Sequence, residues 1–404
     1  MKLKVLFSIF ILTVAVAACV SEFDAQLPSD DVQVLIVDGT IVENSDVTFN
    51  LSKSFPLDFT PDTTKGKLPY IIPDEYFVSN AKLIIIGSNG YQSAPAQNLG
   101  RGEYQISVGE LDNNLEYGIQ IEYDGDTYQS TLSKPLYTPE IDSVSWIQPN
   151  WAETVFFRVS THDNTEGAKF YLWNYQENWE IRATWPTSIF LDTDINSPNY
   201  GKFYTNSSRP YQYCWKSFRT NQYLIGSTES LSENRIINRR LYEVNPANDR
   251  LSFLYSVIVS QQAISKEAFE YYENKIKLNQ EMGGLFTPQP SELSGNITCI
   301  TDPTKKIMGY VTVSKNTTEK RIYVESDLIS RPIITGCELI PQDSVAKWVQ
   351  GDFIRYHSYG YRPAGDMDMG NPGFPENWSY DRCTDCVKAG GSKNKPDFWP
   401  NDHQ

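Results

Sequence analysis

Histidine is scarce in this chain: among 404 residues there are three, His162, His357 and His403. Their spacing rules out an HExxH zinc site, and neither a Gly-x-Ser-x-Gly nucleophile elbow nor a phosphate-binding glycine loop leading into a helix occurs. No catalytic role is expected from these motifs. Positive charge is short as well, with 35 Lys and Arg against 50 Asp and Glu and a formal net charge of -15. As a whole-chain property this argues against nucleic acid or an anionic lipid surface as partner. Long apolar runs are missing after the first residues, so no segment of about 18 or more could span a bilayer as a helix. Paired carboxylates are too plentiful to read, since a glycosidase is recognised by a carboxyl separation of about 5 to 10 Å that a sequence does not display.

Calcium loops are imitated but incomplete. "DTDINSPNYGKF" places Asp192, Asp194 and Asn196 at alternate positions, yet Ser197 stands where the turn glycine belongs and Phe203 where the bidentate acid belongs. "DMDMGNPGFPE" offers Asp366 and Asp368 and no third partner at the right step. Both read as polar turns, and no metal is expected.

What is present begins at the N-terminus. Lys2 and Lys4 precede an apolar run from Val5 to Ala18, a signal peptide covering residues 1–18. Val16-Ala17-Ala18-Cys19 has the pattern of a bacterial lipoprotein signal, in which the Cys19 thiol receives a diacylglycerol, the new N-terminus an acyl chain, and the cysteine becomes a membrane anchor. Residues 19–29 are then a lipidated tether. Ser21-Glu22-Phe23-Asp24 resembles the acidic export signal of surface-exposed lipoproteins in the Bacteroidota. The expected address is the outer face of the outer membrane. No cofactor is expected beyond the lipid on Cys19.

Five cysteines follow: Cys214, Cys299, Cys337, Cys383 and Cys386. In an oxidising compartment they are first read as disulfides whose connectivity the sequence leaves open. Cys383-Thr384-Asp385-Cys386 has the gap of a zinc knuckle, but the second close pair that a knuckle needs is missing. Bridges near the C-terminus are expected, with Cys383 and Cys386 fastening the tail through Cys299 and Cys337.

The body reads as mainly β. "VQVLIVDGTIV", "VTFNLSKSF", "AKLIIIG", "GEYQISV" and "EYGIQIEYDGDTYQSTL" alternate apolar with polar residues and are separated by turn signals, and Asp124-Gly125 supplies a hairpin turn. Residues 30–138 are expected to form an immunoglobulin-like β-sandwich. A larger β-rich domain with one main helix should occupy 139–340, its helix near 265–281 capped by Ser265 and carrying Phe269, Tyr272 and Ile276 on one stripe. Trp173, Tyr175, Trp179, Trp185, Tyr211, Tyr213 and Trp215 are expected mostly in its core. Residues 341–404 read as an irregular, cysteine-containing segment packed on the second domain.

"YQYCW" at 211–215, "GGLFTPQPSELSGNI" at 283–297, "GYVTVSKNTTEKRIYV" at 309–324 and above all "CTDCVKAGGSKNKPDFWP" at 383–400 resemble the Bacteroidota outer-membrane lipoproteins grouped as domain of unknown function 4249. Genes of that family commonly lie beside TonB-dependent transporters of the SusC type. The resemblance implies a non-catalytic extracellular subunit of an outer-membrane β-barrel complex, most simply SusC-like. It also admits an accessory lipoprotein of a BamA-like assembly or export machine. The exposed-aromatic alternative is a free glycan-binding module.

Overall fold

The computed structural model describes residues 34–54, 72–165, 167–281, 295–332, 336–348, 352–365 and 375–400. Cys19, Ser21, Glu22, Phe23, Asp24, Asp366 and Asp368 lie outside them.

Two β-sandwiches are stacked along the chain. In the first, β1 (Leu35–Val42), β2 (Ser45–Lys53), β4 (Gln97–Gly100), β5 (Glu103–Val108) and β18 (Ile307–Ser314) form one sheet in the order β18-β1-β2-β5-β4. The facing sheet runs β17-β7-β6-β3, from β3 (Lys82–Gly87), β6 (Tyr117–Tyr123), β7 (Asp126–Ser130) and β17 (Ile297–Cys299). Period-two burial makes the core: Val47, Phe49 and Leu51 point inward from β2 against Leu83, Ile85, Ile119 and Ile121 of the other sheet. The β6–β7 turn is the expected one, Asp124 and Gly125 both taking positive φ, 52° and 81°.

The domain boundary is corrected here. β17 and β18 fall inside 139–340 yet complete the first sandwich, with β18 running parallel to β1 from Leu35 opposite Ile307 to Val42 opposite Ser314. A parallel pair needs a long crossover, and the chain between β1 and β18 contains the rest of the first sandwich and every strand of the second except β19. Gly309 marks the closeness of the pairing: at φ 138°, an added Cβ would stand 2.0 Å from the Val37 carbonyl oxygen. Alternation shows that a segment is a strand, but not which sheet it joins.

The second sandwich opposes two sheets. One has the order β13-β10-β16-β19, built from β10 (Phe170–Arg182), β13 (Tyr213–Arg219), β16 (Tyr255–Ala263) and β19 (Thr318–Val324), with β14 (Leu224–Ser227) beside β13 on the same edge of β10. The other is three-stranded, β15-β9-β8, from β8 (Ile141–Ile147), β9 (Val155–His162) and β15 (Arg235–Val244). Between them lie Phe157, Val159, Tyr171, Trp173, Trp179, Val257 and Val259. Most of the expected core aromatics are there or buried nearby: Trp173, Tyr175, Trp179 and Trp215 are buried, Trp185 and Tyr213 half-buried, and Tyr211 exposed.

The two sandwiches are joined by a polar clasp. Thr138 and Asn316, on the two connecting segments, bond reciprocally: the Thr138 amide donates to Asn316 Oδ1 and the Asn316 amide group donates to the Thr138 carbonyl, each at 2.9 Å. The helix α1 (Lys266–Glu281) starts as expected, with the Ala268 amide donating to Ser265 Oγ at 3.2 Å. Its buried face, Ala268, Tyr271 and Tyr272, packs on Leu172 and Ile225 of the second sandwich and Tyr310 of the first.

The described residues between 341 and 400 hold more regular structure than expected. β20 (Ile340–Pro341), β21 (Tyr361–Pro363) and β22 (Asn377–Tyr380) form a small sheet flanked by α2 (Gln342–Trp348), α3 (Phe353–Ser358) and α4 (Asp381–Thr384). Trp378, Tyr356, Val345 and Ile340 make its core, against Phe203 of the hairpin β11 (Ile189–Leu191) and β12 (Phe203–Thr205). Its hydrophobic residues are few and widely spaced, so no periodicity announces them.

Candidate interaction surface

The tail is held by two disulfides. Cys214 on β13 bonds Cys386, and Cys337 bonds Cys383, with S–S distances of 2.05 and 2.07 Å. Cys299, the last residue of β17, is buried and forms no disulfide, its thiol 3.3 Å from Thr301 Oγ1, which corrects its expected place in a bridge; Cys214 takes that place. Cys383 lies in the short helix α4 and Cys386 just past its end, and the two reach different partners. "YQYCW" was the available signal, since Cys214 alternates with Trp215 on a strand and so faces the core while Trp215 faces outward.

From Cys386 the chain first extends the sheet, Ser392 and Trp215 exchanging two backbone hydrogen bonds of 2.8 Å. It passes the edge so closely that a Cβ on Gly391 would meet the Cys214 Cβ at 2.5 Å. The tail then crosses the outer face to β19. There the Arg321 guanidinium sits 3.6 Å from the Phe398 ring centre, Tyr323 Oη donates to the Phe398 carbonyl at 2.7 Å, and Trp399 is buried. Beneath this crossing Asn178, Glu180 and Ser256 are buried although they point away from the core.

Beside the tail a cleft of about 620 Å³ opens, walled by Phe253, Tyr323 and Phe398 with Glu325 and Asp327 at its rim. Glu180 lies at its base, its carboxylate accepting from Arg182 Nε at 2.5 Å, while Arg182 stacks 4.5 Å from the Phe253 ring. One oxygen of this carboxylate is thereby engaged by the guanidinium.

A second cluster of titratable groups runs from the core to the half-buried Arg250. Glu177, fully buried, receives Tyr255 Oη at 2.6 Å and Arg250 Nη1 at 2.9 and 3.2 Å, and Tyr255 meets Tyr242 Oη at 2.7 Å. Burial raises the Glu177 carboxyl above the usual range and pushes both phenols well up. Arg250, 25% exposed at the outer end of the cluster, balances the buried Glu177 charge. The calcium-like loop is an Asx turn: Asp192 accepts from the Ser197 hydroxyl at 2.5 Å and from the Asp194 amide at 3.0 Å. Among the described residues no three His, Cys, Asp or Glu side chains are grouped to hold a metal ion.

The surface that stands out is aromatic. On the β11–β12 hairpin Phe190 stacks on Tyr204, 5.7 Å between centres, and meets Tyr211 edge-on at 5.9 Å. Ile195, 78% exposed, and Tyr200 project from the connecting loop. The tail module extends the ridge: Lys393 lies over Tyr211, Tyr361 stacks on Tyr380, Arg382 lies over Tyr380, and Tyr359 is exposed. Tyrosines backed by cations and left in water are the composition of a protein interface.

Residues 20–320 match the family described as domain of unknown function (DUF4249). The chain belongs to that family. The match ends before the 383–400 block, so Cys337, Cys383 and Cys386 lie beyond the matched part of this DUF4249 protein while Cys214 lies within it. No curated protein matches it. Solved structures similar to it include the native conformation of E. coli alpha-2-macroglobulin, 11% identical with a TM-score of 0.16, over 60% of this chain and 14% of that one. The chain thus spans a small part of that protein's length.

Proposed function

We propose that this DUF4249 protein is a non-catalytic subunit of an outer-membrane β-barrel complex, held at the cell surface by lipid on Cys19 and docking on a SusC-like barrel through its aromatic ridge. The ridge carries the reading: Tyr200, Tyr204, Tyr211, Tyr359 and Tyr380 are exposed on the hairpin, the segment before β13 and the tail module, which Cys214–Cys386 fixes to the second sandwich and Cys337–Cys383 staples internally. Interface energy concentrates in such anchors. An accessory role at a BamA-like barrel uses the same surface, and so does glycan stacking.

The test is a mild-detergent pull-down of the tagged chain from its own membrane, repeated with Tyr204→Ser and Tyr211→Ser. A SusC-like barrel in stoichiometric amount, lost in the double variant, is the expected result. A BamA-like barrel in its place moves the protein to envelope assembly. Absence of any barrel, with retention on a polysaccharide column, ends the subunit reading.

A further inference from the structure

The outer face of the β15-β9-β8 sheet departs from the rest of the chain in charge. Arg158 and Arg240 are directly opposite one another in the β9–β15 register, and Ser145 of β8 sits on the other side of Arg158. Like charges in facing positions are destabilising. No carboxylate relieves them: among the described residues none of Arg158, Arg235 and Arg240 forms an ion pair, and the buried Nε of Arg158 has no hydrogen-bond partner, while Arg239, opposite the inward Val159 and over the Trp173 ring, belongs to the other face. Arg235 faces His162, four residues from Arg158 along β9 and so about 13 Å away. On its strands the acids of this face are two, Asp142 engaged with His162 Nδ1 at 2.7 Å and Glu243 opposite Phe156 at the far end, and the turn that carries Trp151 adds Glu153, which accepts from Asn150 Nδ2 at 2.9 Å. Ser143, Ser145 and Ser160 fill the ground between with hydroxyls.

Apolar side chains border the cations. Arg240 lies 3.9 Å from the ring centre of Phe156, Phe156 is opposite Ile147, and the turn that follows Ile147 carries Trp151, 72% exposed. On the edge strand, the bulge between Ile236 and Arg239 presents Ile237, 67% exposed. Arginines on a flat face with a tryptophan and isoleucines at its margins match the chemistry of a bilayer interface, phosphates for the guanidiniums and the headgroup boundary for the apolar groups.

We infer that this sheet face lies down on an anionic lipid surface, its arginines on headgroup phosphates and Trp151 and Ile237 in the interface. The choice of lipid as occupant rests on the anchored reading above: the stretch from Cys19 to Val34 keeps the body within on the order of 50 Å of its membrane, so a weak contact suffices. The net charge, -15 over the full sequence and -17 once Lys2 and Lys4 leave with the signal peptide, weakens the attraction without abolishing it, because charges more than about 8 to 10 Å from the contact are screened.

The full mature chain with Cys19→Ser, and therefore without lipid, is mixed with vesicles of phosphatidylcholine alone or with a third of phosphatidylglycerol. Sedimentation is expected with the anionic vesicles only. It should weaken about fivefold for each of Arg158→Ser and Arg240→Ser and vanish as salt rises from about 0.1 to about 1 M. A blue-shifted emission lost in Trp151→Ser should accompany it. Unchanged circular dichroism certifies the folded variants. Equal sedimentation with both vesicle types, indifference to the arginine variants, or retention on an acidic polysaccharide without vesicle binding would overturn the inference. Mass analysis of the native N-terminus reports the anchor separately, so failure of the face and failure of the anchored reading are told apart.

Discussion

The two outer faces of the second sandwich have been treated in opposite ways. On the β13-β10-β16-β19 sheet, Leu172, Trp215 and Ile225 point outward, and each is buried: α1 covers Leu172 and Ile225 at one end, and the tail, paired with Trp215, crosses at the other. On the β15-β9-β8 sheet the outward side chains are mostly serine and arginine, with Phe156 under the Arg240 guanidinium, and no helix or tail covers them among the described residues. Covering follows side-chain chemistry. A buried tryptophan contributes on the order of 4 kcal/mol by area, which offsets part of the entropy of ordering a tail, whereas a serine contributes almost nothing. A covered face is structure, and an uncovered charged one is free for a partner.

The sharpest way to break this contrast is to uncover the first face. Trp399→Ala removes the side chain that ends the crossing, buried beside Tyr323 at 6.3 Å between rings. It should lower stability by about 3 to 5 kcal/mol if the tail packs as one unit with the sheet. Urea unfolding followed through the remaining tryptophans reads this, and a loss below about 1 kcal/mol would mean that the tail is an ornament held only by its disulfides.

Acid should loosen the same side more gently. Burial, with Arg362 and Lys388 nearby, lowers the His357 imidazole from 6.5 to about 4, against the opposing pull of Asp381. A depressed folded pKa means that the neutral ring is the one the fold accepts. The contribution is complete above pH 6.5 and is lost as the pH falls toward 4. Amide exchange in α3 and β21 should therefore quicken across that window while β8 and β9 stay protected, and His357→Asn should flatten the dependence. Uniform acid response in both sheets would refute the local origin.

How much of this was legible in the sequence follows from range. Local features were: the Asp124-Gly125 turn, the Ser265 cap and the period-two strands are written within a few neighbouring residues. Partners distant in sequence were not. The parallel pairing of β18 with β1 joins residues some 270 apart, and Cys214 reaches Cys386 across 172 positions. The basic face was hidden for a related reason, since Arg158 and Arg240 come from different strands and vanish into a whole-chain charge of -15. Of the candidate surface, the aromatic density around 211–215 was visible, but alternation alone left open which tyrosines were core and which were ridge.

The smallest expected effect is the most informative about the open face. Replacing Arg240 by Ser removes one member of a like-charge pair from solvent and exposes no core, so stability should change by no more than about 0.5 kcal/mol, with the sign toward gain. The same substitution is the one expected to weaken vesicle binding. A loss of about 2 kcal/mol would instead assign the guanidinium to packing on Phe156, 3.9 Å from its ring centre, and make the face a structural surface like its neighbour. A neutral result would leave two unrelieved arginines with no stabilising role in the fold, and a face whose charge is explained only by something that binds it.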